Sequence, residues 1–140
     1  MLAVVACSIA LVVLTTLIHY ETLRQLHRRL PRLPLPHRAR LVVVMLVAFV
    51  AHAVEILVYG LAMHALVRWC GAGVLQGAPG SPLATFIYFS AETYTSLGFG
   101  DLAPMGPVRF MAGVEALNGL LLIGWTASFV YIAMERFWSR

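Results

Sequence analysis

Between two strongly apolar segments lies the stretch Thr95-Ser96-Leu97-Gly98-Phe99-Gly100-Asp101, in which two glycines stand two positions apart. Successive carbonyl oxygens point to one side of a chain only if alternate residues leave the right-handed backbone region, and glycine takes those positions without steric cost. Non-helical backbone at membrane depth is tolerated only where it is buried in protein or lines a water-filled cavity. The stretch therefore predicts a pore whose wall is made of backbone carbonyls.

The rest of the sequence has the composition of a membrane protein. Of the 140 residues, 61% are hydrophobic and only 11% are charged, which leaves little room for a soluble domain. A spanning helix needs roughly 20 predominantly apolar residues, and residues 2–20, 41–69 and 108–131 are long enough. A fourth apolar segment, residues 83–95, has only about 13 residues, which suits a re-entrant helix that does not cross.

We therefore predict an all-α membrane protein with three transmembrane helices, and with a re-entrant pore helix and filter between the second and third. An N-terminal transmembrane helix covers residues 1–22 and a basic, proline-rich cytoplasmic linker covers 23–40. The pore module then runs over 41–137 as an outer helix (41–69), a turret (70–81), a pore helix (82–95), a filter (95–101) and an inner helix (108–137). Ser81 and Pro82 fit the start of the pore helix, as a capping serine followed by a proline in the first position. The first segment has no basic residue before its apolar run, so we interpret it as a retained helix rather than a secretory signal.

The positions of the arginines predict how the chain is oriented. Six of the ten basic residues lie between the first two spans, namely Arg24, Arg28, Arg29, Arg32, Arg38 and Arg40. Because cytoplasmic loops keep positive charge, this loop and the C-terminus are expected inside and the N-terminus outside. The leucines of residues 23–30 recur at helical spacing, whereas the prolines of residues 31–36 favour an extended path. Four arginines of this loop either attract anionic lipid head groups or only set the topology: Arg24, Arg28, Arg29 and Arg32.

Residues 95–101 resemble the selectivity-filter signature of the potassium channel superfamily, which reads threonine, threonine or serine, an aliphatic residue, glycine, tyrosine or phenylalanine, glycine and aspartate. The flanking residues resemble those of small bacterial potassium channels: Glu92 and Thr93 before the filter, and Leu102 and Pro104 after it. The similarity runs from about residue 81 to residue 137, and everything before it is matched by hydropathy alone. The resemblance implies a small bacterial channel with one extra N-terminal helix, located in the inner (plasma) membrane.

The resemblance also implies a potassium-selective channel that conducts K+ passively. The ion would bind to oxygens of Thr95, Ser96, Leu97, Gly98 and Phe99, in a filter that Gly100 completes. One chain supplies one wall, so the expected assembly is a homotetramer. Ser96 in place of the usual second threonine and Leu97 in place of valine would weaken the discrimination against sodium. A weakly selective cation channel and a non-conducting, channel-like regulatory subunit therefore stay open as alternatives.

No arrangement of residues typical of an enzyme competes with this interpretation. The sequence has no nucleophile with a base at recognisable spacing, no metal-ligand cluster and no phosphate-binding loop. A monomeric transporter with a broken helix is disfavoured, because such folds use internal repeats. We expect no catalysis, no cofactor besides the conducted K+ and no nucleic-acid partner.

Glu92 and Asp101 resemble the carboxylate pair that braces the filter in small bacterial channels, one behind the filter and one just beyond it. Two closely packed carboxylates cannot both ionise cheaply, so the pair would share a proton and link filter stability to pH. In the alternative interpretation, Asp101 is a solvated residue at the pore mouth and Glu92 bonds the backbone of the pore.

Ionisable residues inside apolar segments are expensive and are therefore candidates for function. His52 and Glu55 lie one turn apart in the second span, and Glu115 lies in the third. They either hydrogen-bond to one another and lock the outer and inner helices together, or they make His52 part of a gate that titrates between roughly pH 5 and 8. The remaining histidines lie near the predicted interfaces and are expected in solvated positions: His19, His27, His37 and His64.

The third span is, by resemblance, the pore-lining inner helix, and two of its glycines are gating candidates. Gly119 lies near the bend of the family's inner helix and Gly124 follows; each either absorbs a kink or allows close packing. Asn118 faces the cavity below the filter if the rotation of the helix brings it there. The first span has no arginine ladder and the sequence stops at Arg140, so we expect neither a voltage sensor nor a ligand-binding domain. Lipid, pH, membrane tension, a partner or the filter itself would then control opening.

Overall fold

The computed structural model describes residues 1–77, 80 and 82–138, and it is mostly helical. Its elements are α1 (Leu2–Arg29), a short 3-10 turn (Leu30–Arg32), α2 (His37–Cys70), β1 (Val74–Gln76), α3 (Leu83–Tyr94), β2 (Ala103–Met105) and α4 (Val108–Trp138). Three segments are long and apolar enough to cross a membrane: Leu2–Arg32, Arg38–Cys70 and Val108–Glu135. The prediction of an all-α membrane protein with three spanning helices is confirmed, and α3 is the short helix between the second and third.

Helix α1 is longer than predicted. One stripe of its surface is buried, made of Val4, Ser8, Leu11, Thr15, His19, Leu23 and Leu26. Because this stripe continues past residue 22 at the same spacing, the first part of the basic linker is not separate from the span but extends it to Arg29. The prolines of residues 31–36 then end the helix, and Pro36 has the extended φ of -62° and ψ of 154°.

The core joins the four helices at the level of the pore helix. Tyr59 and Met63 of α2, Phe86 and Tyr94 of α3, and Met111 of α4 are fully buried in one apolar cluster, to which α1 adds Val4 and Leu11. Since α1 packs against both α2 and α4, the N-terminal helix is part of this core and not an appended anchor. The C-terminal end of α3 is thereby held between the two long helices of the pore module.

The segment predicted as the turret contains a β-strand. Its strand β1 pairs antiparallel with β2, with Val74 opposite Met105 and Gln76 opposite Ala103. The Val108 N–H also donates to the Ala72 carbonyl at 3.1 Å. The backbone that follows the filter is therefore fixed to the turret.

The start of α3 differs by one residue from the prediction. Pro82 is the residue that precedes the helix, with φ of -65° and ψ of 152°, and Leu83 is the first helical residue. The capping role expected for Ser81 lies outside the described residues. A helix from Leu83 to Tyr94 has 12 residues, which is too short to cross a bilayer.

Candidate functional site

The backbone of the filter alternates as the glycine spacing predicted, with one addition. φ is positive at Gly98 (56°) and at Gly100 (81°), and also at Ser96 (57°). Positive φ is uncommon for a residue that carries a side chain. The spacing of the glycines predicted this backbone state at Gly98 and Gly100 but not at Ser96. Three left-handed residues, each two positions from the next, bring successive carbonyls toward one side.

Four consecutive N–H groups of the filter, those of residues 96–99, turn back toward the pore helix. Ser96 N–H donates to the Thr93 carbonyl at 3.0 Å, and the Leu97 and Gly98 N–H groups donate to the Glu92 carbonyl at 2.9 and 3.3 Å. Phe99 N–H donates to the Glu92 carboxylate at 3.1 Å. In a trans peptide the carbonyl points opposite to the N–H. The carbonyl oxygens of the four residues from Thr95 to Gly98 therefore point away from α3 and toward the open side of the chain.

No other part of the described chain covers this segment on the side to which the carbonyls point. Residues 95–100 are all exposed in the single chain, with Leu97 60% and Phe99 67% exposed. The Thr95 hydroxyl donates to the Ala91 carbonyl at 2.8 Å, so its proton is used within the chain while its oxygen keeps lone pairs. The row of carbonyls is thus left uncovered by the rest of the single chain.

The predicted carboxylate pair takes two different partners within the chain. Glu92 is buried and accepts the Phe99 N–H, whereas Asp101 is exposed and accepts the Tyr88 hydroxyl at 3.2 Å. The Tyr88 ring also stacks on Phe99, with ring centroids 6.5 Å apart and an interplanar angle of 1°. Glu92 therefore bonds the pore backbone, as the alternative interpretation expected. Tyr88 was missed, although it lies four residues before Glu92, on the same face of the pore helix.

A second cluster of polar side chains lies at the C-terminal end of the pore helix, where Tyr94 contacts His52 and Glu55. The Glu55 carboxylate contacts Nδ1 of His19 at 3.0 Å and Nδ1 of His52 at 3.1 Å, and it accepts the Tyr94 hydroxyl. His52 Nδ1 also lies 2.9 Å from the Tyr94 oxygen. Thr126 Oγ1 lies 2.9 Å from Nε2 of His52 and 3.1 Å from Nε2 of His19. We call these five residues the polar cluster; they come from α1, α2, α3 and α4.

The expectation that His19 is solvated was wrong. Its side chain is fully buried and bonded to Glu55 and Thr126. The helical spacing of the sequence could have indicated this burial, because His19 follows Leu11 and Thr15 on the buried stripe of α1. His27 is exposed, as expected for a solvated residue. His64 is half-buried and its ring packs against Phe86 at a centroid distance of 5.2 Å.

Glu115 is buried but does not belong to the polar cluster. The Ser90 hydroxyl of α3 contacts Glu115 Oε1, and it also lies 2.8 Å from the Ile56 carbonyl of α2. Within the part of the chain that the structure describes, Glu115 Oε2 has no hydrogen-bond partner. Asn118, one turn later, does not face a cavity: its amide donates to Thr15 at 2.8 Å and to Tyr59 at 3.1 Å. Both residues thus attach α4 to the other helices.

The two glycines of α4 have different surroundings. A Cβ built on Gly119 would overlap the Tyr94 carbonyl, so the absence of a side chain lets α4 approach the end of the pore helix. A Cβ on Gly124 would meet no atom within 4 Å among the described residues. The close-packing interpretation therefore fits Gly119, and Gly124 stays a candidate for bending.

Comparison with known proteins agrees with this geometry. The family model described as "Ion channel" matches residues 42–136. A curated relative, the inward rectifier potassium channel Kirbac3.1 of Paramagnetospirillum magnetotacticum, is 35% identical over 68 residues, which are 48% of this chain and 23% of that protein. The comparison with solved structures gives no match. Since the family model covers more than half of the chain, the protein belongs to the ion channel family.

Proposed function

We propose that the protein is a potassium-selective channel that conducts K+ passively through a carbonyl-lined filter. The observation that carries this proposal is the row of four backbone carbonyls, from Thr95 to Gly98, that points away from the pore helix. A cation that enters a filter must replace its hydration shell, and rings of carbonyl oxygens provide that replacement in potassium channels. The C-terminal end of α3 carries a partial negative charge and favours a cation beside it. The 35% identical potassium channel supports the same ion.

The working assembly is a homotetramer. A single chain presents one wall of carbonyls and leaves Leu97 and Phe99 more than half exposed, so several copies are needed to surround an ion. Identical subunits close most simply around a rotation axis, and the potassium channel superfamily uses four. The same axis would place α4 along the conduction path and α1 at the periphery. We assign no catalytic role to any residue.

The protein would lie in the inner membrane with its N-terminus outside and its C-terminus in the cytoplasm. The basic loop that sets this orientation begins at the end of α1, where Arg28 and Arg29 are exposed, and continues to the exposed Arg32. Arg24 is engaged by Glu21 at 2.8 Å. Anionic head groups at the cytoplasmic surface would therefore meet chiefly Arg28, Arg29 and Arg32, each attracted by about 1 kcal/mol.

Ion flux through the purified protein in liposomes tests the proposal. Vesicles are loaded for a potassium gradient or for a matched sodium gradient, and barium is added as a pore blocker. We expect rapid, barium-sensitive flux with potassium and little flux with sodium. Equal flux of both ions would replace the proposal by the weakly selective cation channel, with Ser96 and Leu97 as the responsible departures. An absence of flux in correctly assembled protein would favour the non-conducting regulatory subunit.

A further inference from the structure

The filter accounts for Glu92 and its contacts, but it leaves the polar cluster without a role. We propose that His19, His52 and Glu55 bind a divalent transition-metal ion such as Zn2+, through Nδ1 of each imidazole and one or both carboxylate oxygens. One ligand atom of each of these three residues lies within 4.8 Å of the ligand atoms of the other two. Two imidazoles and one carboxylate form a ligand set that zinc uses in proteins when a fourth position stays open.

Both imidazoles direct Nδ1 at the same carboxylate. His19 Nδ1 lies 3.0 Å from Oε1 of Glu55, and His52 Nδ1 lies 3.1 Å from Oε2 of the same carboxylate. Ligands around a tetrahedral zinc, each roughly 2.0 to 2.1 Å from the ion, are about 3.3 Å apart. The observed separations are a few tenths of an ångström shorter, so a modest rotation of the side chains would admit the ion. The Tyr94 oxygen lies 2.9 Å from His52 Nδ1 and would be next to the bound ion.

Thr126 holds both rings in the orientation that such a site requires. A metal-binding histidine donates the N–H of its other ring nitrogen to a nearby acceptor, which fixes the ring and its tautomer. Nε2 of His19 and Nε2 of His52 both contact the single hydroxyl oxygen of Thr126. The convergence of both Nε2 atoms on one acceptor leaves both Nδ1 atoms facing Glu55. Thr126 is thus a positioning residue for both imidazoles.

Counting protons shows that the contacts of the polar cluster outnumber the protons that neutral rings, hydroxyls and an ionised carboxylate can supply. Six hydrogen-bond contacts join its five side chains. Two neutral imidazoles and two hydroxyls supply four protons, and an ionised carboxylate supplies none. Because Thr126 has one proton, it donates to at most one ring, and the other ring must then donate Nε2–H to it. If that ring is His19, its Nδ1 is a bare lone pair facing the carboxylate, and an added cation removes the mismatch. If it is His52, the single Tyr94 proton is shared between that Nδ1 and the carboxylate.

The polar cluster borders a groove between α2 and α4. A cavity of about 510 Å³ lies there and is lined by His52 and Thr126 among apolar side chains. The His52 side chain is 18% exposed, whereas those of His19 and Glu55 are fully buried behind it. A bound ion would join α1 to α2 and would lie beside Tyr94, the residue that immediately precedes the filter. An effect of the ion on K+ flux rests on the proposed function, but its binding does not.

The test measures metal binding to the purified full-length protein. Zn2+ is titrated in competition with a chromophoric chelator, and Co2+ is added separately because tetrahedral Co2+ with imidazole ligands has a characteristic visible absorption. We expect one ion per chain and the tetrahedral Co2+ spectrum. His19→Gln and His52→Gln should abolish both signals, and Thr126→Val should weaken Zn2+ binding roughly 10- to 100-fold. His64→Gln, a half-buried histidine of the same helix as His52, is the matched control and should bind normally.

Two results would contradict the proposal of a metal site. One is the absence of saturable Zn2+ binding and of the Co2+ spectrum in the unmodified protein, which would leave a proton as the cation of the cluster. The other is equal binding by His19→Gln and His64→Gln. The unmodified protein decides the question even if a substituted chain fails to fold. Binding in protein that carries no K+ flux would reject the proposed function and keep the metal site, whereas selective flux without binding would do the reverse.

Discussion

Replacing Gly98 with alanine perturbs the backbone of the filter and little else. Gly98 has φ of 56°, and a Cβ added there meets no atom within 4 Å in the described part of the chain. The cost is therefore conformational: an L-residue in the left-handed region is destabilised by about 1 to 2 kcal/mol. In a homotetramer this amounts to about 4 to 8 kcal/mol, since all four chains carry the substitution.

The chain can relieve this strain by rotating the peptide between residues 98 and 99. That rotation turns the Gly98 carbonyl away from the ion path and breaks the 3.1 Å bond from Phe99 N–H to Glu92. One to two kcal/mol shifts the balance toward the rotated form by about 5- to 30-fold in each chain. Because the filter of the proposed tetramer needs all four walls, we expect Gly98→Ala to reduce selective K+ flux in liposomes at least tenfold while the proposed tetramer still assembles.

Gly71→Ala provides the matched control. Gly71 caps the end of α2 with φ of 58°, and a Cβ there also meets no described atom within 4 Å. The backbone cost is the same, but the residue lies outside the filter. Both variants should lose similar stability on heating, and only Gly98→Ala should lose selective flux. Normal selective flux through Gly98→Ala, or an equal loss in Gly71→Ala, would refute the account of the filter.

Three further predictions concern contacts around the filter. Glu92→Gln keeps an acceptor for the Phe99 N–H but removes the charge of the side chain, so this hydrogen bond should weaken by about 1 kcal/mol. The flux should then decay sooner at low potassium, and an unchanged time course would contradict this. Gly119→Ala should lower the temperature of unfolding by several degrees because its Cβ overlaps the pore helix, whereas Gly124→Ala should not; calorimetry showing equal shifts would exclude the close-packing role. Thr15→Val removes the acceptor of the buried Asn118 amide and should lower the free energy of unfolding by about 1 to 3 kcal/mol. Chemical denaturation measures this loss, with Thr16→Val as the control; similar losses in both variants would show that the bond is unimportant.

The number of spans and the place of the pore helix were predictable because both follow from local properties. Apolar length separates a crossing helix from a 12-residue one, and the two glycines of the filter report a backbone that most residues avoid. The positive φ of Ser96 has no such local signal. It is imposed by the bonds of the neighbouring N–H groups to α3, which form only in the folded chain.

The polar cluster was only partly predictable for a related reason. His52 and Glu55 lie one helical turn apart, so their contact follows from the helical repeat. His19 is 36 residues from Glu55 and Thr126 is 74 residues from His52, and these contacts depend on how three helices pack. The pairing of β1 with β2 is similar, because two three-residue strands separated by the pore helix and filter carry no recognisable pattern of their own.

The most direct test of potassium selectivity is the reversal potential of the purified channel in a planar bilayer, with potassium on one side and an equal concentration of sodium on the other. If carbonyls from Thr95 to Gly98 select potassium, the current reverses only at a large voltage, positive on the sodium side, that holds potassium back. Reversal near zero voltage would show that sodium passes as readily as potassium and would contradict the central claim.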